Sequence, residues 1–158
     1  MMRKISPVLR KSGLTFIELL IVIIIIGILS AAAIPRFKST LTHFEFDKFT
    51  KDIYFLSRYL QDASVNQGKI YYLGINVNNG ELQAFTREQD EFRNIAGRLG
   101  KIYKAPQVVL MSVDPLEIKG INFYPDASTD QAKIIFDNQS KDKVSLIFKG
   151  ASGGIQIK

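Results

Sequence analysis

Between Leu19 and Leu29 the chain carries no polar side chain, and the apolar stretch extends over residues 14–34 with only Thr15, Glu18 and Ser30 interrupting it. About 20 apolar residues at ~1.5 Å rise per residue match the hydrocarbon thickness of a bilayer, so the run predicts a membrane-spanning helix. Arg3, Lys4, Arg10 and Lys11 all precede it. The positive-inside rule then keeps the basic end in the cytosol and translocates the long C-terminal segment.

The same four cations account for most of the net charge. Without them the excess of Lys and Arg over Asp and Glu falls from six to two, so the basic character belongs to the leader and not to a nucleic-acid surface. At 158 residues, 46% hydrophobic and 23% charged, the chain has room for one domain with a sizeable core. There is no cysteine and a single histidine, His43. Disulfide scaffolds, Cys-based zinc sites and thiol nucleophiles are excluded. No glycine-rich phosphate loop, carboxylate dyad or hydroxyl–histidine triad is discernible, so neither an enzyme nor a cofactor is expected.

Three roles compete for residues 1–35. A secretory signal peptide cleaved at Ala31-Ala32-Ala33 would release a soluble periplasmic binding protein after Ala33. A plain signal anchor needs only length and flanking charge. Neither explains Glu18, because a carboxylate inside an apolar segment costs a few kcal/mol and calls for a partner.

The stretch RKSGLTFIELLIVIIIIGILSAAAIPRF, residues 10–37, resembles the class III signal of type IV pilins and type II secretion pseudopilins. The resemblance implies that prepilin peptidase cuts between Gly13 and Leu14 and that the new amino group of Leu14 is methylated. It makes Glu18 the fifth mature residue, important for assembly, and Pro35 the proline that kinks the helix. Thr15 also matches; Leu14 stands where the family usually has phenylalanine. The implied fold is α+β, the type IV pilin fold: a long N-terminal helix, its first half transmembrane, packed on an antiparallel β-sheet domain.

The residues supply their own chemistry for that motif. After cleavage the Leu14 amine and the Glu18 carboxylate lie one helical turn apart, where each charge alone is expensive and a pair is not. With protomers stacked at an axial offset, the glutamate of one subunit meets the amine of the next and sets register. The plainer alternative is that Glu18 snorkels to the cytosolic interface.

A helical period continues past the membrane segment. Leu41, Phe44, Phe49, Ile53, Leu56, Leu60 and Ala63 recur at helical steps as far as Asn66-Gln67-Gly68, which predicts one helix of about 80 Å ending near Gln67. His43 is expected to be an exposed helix residue. The period then becomes two. Residues 69–77 and 81–87 flank Asn78-Asn79-Gly80, a hairpin signal, and further strands are expected at 108–113, 117–124, 132–137, 144–149 and 155–157. Residues 88–106 read as a loop with a helical turn. The resulting organisation is a leader at 1–13, a transmembrane and filament-core helix at 14–34, its amphipathic continuation at 35–68, and a periplasmic β-rich domain at 69–158.

A second resemblance lies in GINFYPDASTDQAKIIF, VSLIF and GASGGIQIK, with FLSRYLQDASVNQG on the helix. These stretches are similar to the H-class minor pseudopilin of type II secretion and its minor-pilin relatives, although Ala127 replaces the glycine usual after Pro-Asp. The implied function is that of a minor pseudopilin in an envelope-spanning pseudopilus that helps to export folded proteins. Its partners would be other pilin-like subunits, prepilin peptidase and the inner membrane. The alternative is a minor pilin of a type IV pilus or DNA-uptake machine, and only there would nucleic acid be a partner. Lys101, Lys104, Lys119, Lys133, Lys141, Lys143, Lys149 and Lys158 would form that face, yet solvated strand positions explain them more simply. Asp126, Asp130, Asp137 and Asn138 are conceivable calcium ligands, but turn carboxylates usually bond their own backbone, so no metal is expected.

Overall fold

The computed structural model describes residues 15–88, 91–138 and 142–158. One helix, α1, spans Phe16–Gln67, and Gly68 follows it with φ +65°, the left-handed conformation that ends helices at glycine. The chain divides at the Leu41–Thr42 junction into an N-terminal unit and a globular unit, Thr42–Lys158.

In the N-terminal unit α1 is apolar all round from Leu19 to Leu29. From Phe16 to Leu29 the large hydrophobic side chains are between 43% and 82% exposed, so this part has no apolar stripe set against a polar face. Among the described residues no helical window meets the length and apolarity of a membrane span.

In the globular unit the helix becomes one-sided. Phe46, Phe49, Ile53, Leu56, Leu60 and Ala63 are buried, and Thr50, Ser57, Gln61 and Ser64 lie buried beside them on the same face. Leu41 and Phe44 are not core residues as the sequence pattern predicts; they are 46% and 65% exposed. Counting back from Ile53 in steps of three and four reaches Phe49 and Phe46, whereas Phe44 falls half a turn away. Ser57 and Thr50 return their hydroxyls to the carbonyls of Ile53 and Phe46 at 2.8 and 3.1 Å, which lets polar residues sit in the core.

Among the described residues nine strands follow: β1 Ile70–Asn76, β2 Glu81–Glu88, β3 Glu91–Asn94, β4 Tyr103–Lys104, β5 Val109–Asp114, β6 Gly120–Phe123, β7 Gln131–Asn138, β8 Asp142–Lys149 and β9 Ile155–Ile157. They form two antiparallel sheets, one ordered β3-β2-β1-β6 with β4 also on β2, the other β5-β7-β8-β9. Alternate residues of β1, β5 and β7 point inward and are buried, as the two-residue period requires. Phe49 of α1 meets Phe136 of β7 edge to face at 5.5 Å.

Three details differ from the sequence expectation. Residues 88–106 are not a plain loop: β3 and β4 flank a 3-10 turn at Gly97–Gly100, and Phe92 of β3 packs on Tyr72 at 4.5 Å. The strand predicted over 117–124 is only Gly120–Phe123, because Ile118 closes a turn onto Pro115 and Tyr124 opens one with Ala127. The sheet is also two sheets, since β5 pairs with β7 instead of continuing from β6.

The end of α1 is fastened by polar contacts. Gln61 donates its amide to the carbonyls of Ala127 and Gly153 at 2.7 and 2.5 Å, and Ser64 donates to the Tyr124 carbonyl at 3.0 Å. One glutamine thus satisfies two loops, the Pro125–Ser128 turn and the glycine-led turn before β9. Ala127 itself sits at φ +67°, a region that costs an L-residue about 1–2 kcal/mol.

Two outcomes follow for stability. Gln61→Leu leaves two carbonyls without their donor and should destabilise by about 2–4 kcal/mol, read as a lower urea midpoint of the detergent-solubilised chain. An unchanged midpoint would mean that the clamp carries no stability. Ala127→Gly removes the left-handed strain and should gain about 0.5–1 kcal/mol, a rise of a few degrees in Tm.

Candidate functional site

At its N-terminus α1 starts on a cap. Thr15 accepts the first helical bond, from Leu19 N to its carbonyl at 3.2 Å, and its hydroxyl oxygen accepts the Glu18 N–H at 3.3 Å. Thr15 is therefore the N-cap and Glu18 the third helical residue, the Thr-x-x-Glu spacing of a capping box. Negative charge in the first turn also suits the positive end of the helix dipole. The capping role of Thr15 is absent from the sequence expectations, although the four-residue signature before an apolar run carries it.

Glu18 is exposed, surrounded by Phe16, Ile17, Leu19 and Leu20, which are exposed as well. In this arrangement its carboxylate is the one ionisable group among the described residues 15–31. The sequence-predicted cleavage and methylation positions, Gly13 and Leu14, lie outside the described residues together with the rest of the leader. Pro35 lies inside α1. Its nitrogen has no hydrogen to donate to the preceding turn, the chemical basis on which a kink was expected there.

The candidate metal ligands of the globular unit are occupied by their own neighbours. Asp130 accepts from Asn122 N and Asn122 Nδ2, both at 2.8 Å, and from the Tyr124 hydroxyl at 3.0 Å. Burial and that hydrogen bond push the Tyr124 phenol up. Asp126 accepts the Ser128 hydroxyl and N–H, which holds its carboxyl below the usual range. Asp137 pairs with Lys143 at 4.0 Å, and Asn138 is buried. Among the described residues no three His, Cys, Asp or Glu side chains gather.

The lysines do not all share a face: the register of β7 and β8 puts Lys133, Lys143 and Lys149 on one side of their sheet, whereas Lys101 and Lys104 lie beside α1. Lys104 pairs with Glu81 at 3.4 Å and Lys101 stands over the Tyr103 ring at 4.5 Å, next to α1 residues Glu45, Lys48 and Asp52. Lys119 precedes β6, Lys133, Lys143 and Lys149 belong to β7 and β8, Lys158 follows β9, and Lys141 lies outside the described residues. His43 is partly exposed, and its Nδ1 lies 2.8 Å from Asp142 Oδ2, tying α1 to the start of β8.

Residues 9–34 match the family model of the prokaryotic N-terminal methylation motif. No curated protein sequence matches the chain significantly. Solved structures do. The minor pseudopilin EpsH from the type 2 secretion system of Vibrio cholerae is similar with a TM-score of 0.63 at 8% identity, over 72% of this chain and 96% of that one. The type IV minor pilin FimU of Pseudomonas aeruginosa strain PAO1 is similar with a TM-score of 0.58 at 10% identity, over 73% of this chain and 90% of that one. At such identities the likeness is one of fold. The chain thus carries the prokaryotic N-terminal methylation motif at its head and, behind it, the fold of these minor pseudopilin and minor pilin structures.

Proposed function

We propose that the chain is a minor pseudopilin of a bacterial type II secretion system, a mechanical and non-enzymatic subunit of an envelope-spanning filament that helps to export folded proteins. The observation that carries this reading is the apolar N-terminal part of α1, exposed on every side and headed by the methylation motif. An all-round apolar helix needs lipid or other helices around it. Before assembly the inner membrane supplies one, with the basic leader in the cytosol and the globular unit in the periplasm. Within a filament the same segments of neighbouring pilin-like subunits supply the other. The likeness to FimU supports a second reading within the family, a minor pilin of a type IV pilus or DNA-uptake machine.

Glu18 is assigned the register role. In an apolar surround its carboxylate is stable when it meets the amine freed at Leu14, either its own or that of a neighbour. The capping geometry adds a competing role that substitution separates, since glutamine serves a capping box as well as glutamate but carries no charge.

Intact-mass measurement of the membrane-extracted protein should give a chain starting at Leu14 with one added methyl group, the product of prepilin peptidase and methylation. A start at Ile34 would replace the filament reading by that of a soluble protein released by signal peptidase.

Glu18→Ala and Glu18→Gln should both leave membrane abundance and leader cleavage intact while copurification with other pilin-like subunits falls about tenfold or more, the loss expected for an unpaired buried charge. Normal assembly of the glutamine variant alone would assign Glu18 to capping, and normal assembly of both would make it a snorkelling residue.

A further inference from the structure

Asparagine is a chemically labile residue, and most of all when the residue after it has no side chain. The backbone nitrogen of a following glycine is open to the asparagine's own side-chain carbonyl carbon, and the two can close a five-membered ring. The chain has seven asparagines, and only Asn79 precedes a glycine.

The fold protects most of the others. Asn66 lies in α1, Asn76 and Asn94 end β1 and β3, Asn122 gives its side-chain amide to Asp130 within β6, and Asn138 is buried in β7. Asn78 and Asn79 stand instead in the exposed turn, residues 77–80, that joins β1 to β2. Asn78 is followed by a residue with a Cβ, which crowds the nitrogen it would have to meet. Gly80 takes φ +65°, and a Cβ on it would come to 3.2 Å from the Ala105 Cβ, so conformation and space both keep glycine at this place.

The hydrogen bonds of the turn pin its frame and leave the reacting atoms least engaged. The Asn79 N–H donates to Asn76 Oδ1 at 3.2 Å, and the Gly80 carbonyl accepts from the Ala105 N–H at 2.7 Å. The Gly80 N–H reaches the Val77 carbonyl at 3.3 Å, longer than an ordinary N–H···O bond. Among the described residues no hydrogen bond holds the Asn79 side-chain amide, which is free to turn toward that nitrogen.

We propose that Asn79 is a self-modification site, converted through a cyclic imide with Gly80 into aspartate and isoaspartate. Solvent base takes the Gly80 amide proton, the nitrogen forms a bond to Asn79 Cγ, and the Cγ–Nδ2 bond breaks with ammonia as the leaving group. Water then opens the ring at one of its two carbonyls. Opening at Cγ gives aspartate; opening at the backbone carbonyl leaves the chain running through the side chain, one methylene longer, as isoaspartate. Either product adds a carboxylate two residues from Glu81, which already holds Lys104 at 3.4 Å. The isoaspartate form also lengthens the turn that Ala105 anchors.

The test incubates the detergent-solubilised full-length chain in mildly alkaline heavy-oxygen water and maps its peptides by mass spectrometry. The expected result is conversion of Asn79 to the acid at least tenfold faster than conversion of Asn66, Asn78, Asn94 or Asn122. The product should carry one heavy oxygen and separate into two isomers, with isoaspartate the larger share. Asn79→Gln, whose side chain would have to close a larger ring, should slow conversion at that position at least tenfold at an unchanged melting midpoint. Conversion of Asn79 no faster than that of Asn78, a product without heavy oxygen, or a glutamine variant that converts as fast overturns the proposal.

Discussion

One unbroken helix has to satisfy two incompatible surroundings, and the rest of the molecule is arranged around that demand. The backbone of α1 is indifferent to the change, because its hydrogen bonds are internal along the whole length. The side chains are not. From Leu19 to Leu29 they are apolar on every side and exposed; from Phe46 to Ser64 they divide into a buried face and a solvated one. The globular unit can therefore cover only part of the helix. On the reading proposed above, lipid or other subunits cover what remains.

The covered part is held by polar contacts as well as by burial. Apolar packing of Phe49, Ile53, Leu56 and Leu60 fixes the helix against the strands but does not by itself position the two turns at its C-terminal end. Gln61 does so, with a single amide reaching both the Ala127 and the Gly153 carbonyls. Gly153 is required there: a Cβ on it would lie 2.2 Å from the Ala127 carbonyl oxygen, at a φ of +62°. Ala127 is tolerated in the left-handed region because its carbonyl is held in this lattice, so strain at one residue is offset by bonds at another.

Much of this was legible in the sequence where local rules are strong. The hairpin around Asn78-Asn79-Gly80 and the stop at Gly68 are set by residues that favour positive φ, and Gly68 and Gly80 both show it at +65°. The strands β5, β7, β8 and β9 follow from period-two patterning. Legibility failed where tertiary contact decided. Phe44 and Phe46 are equally apolar, and only the phase fixed by Ile53 and Leu60 separates the exposed one from the buried one. β3 exists because Phe92 finds Tyr72 and Phe85 across the sheet, contacts invisible to local pattern. At the N-terminus the motif marked both Thr15 and Glu18, but the capping role of Thr15 appears only once the helix start is seen.

The ionisable groups of the globular unit are largely committed to its own turns and edges. Asp130 accepts three hydrogen bonds, Asp126 is held by Ser128, and Lys69 donates to Glu88 at 2.7 Å, which lowers that carboxyl below its ordinary range and raises the ammonium. Groups so engaged are poor at recruiting a charged ligand, because any new partner must first displace an existing one. Lys133 and Lys149, on the neighbouring strands β7 and β8, instead stand without an ion-pair partner among the described residues. Selectivity for a charged partner is therefore left to the few groups of this kind, while the turns and strand edges keep theirs.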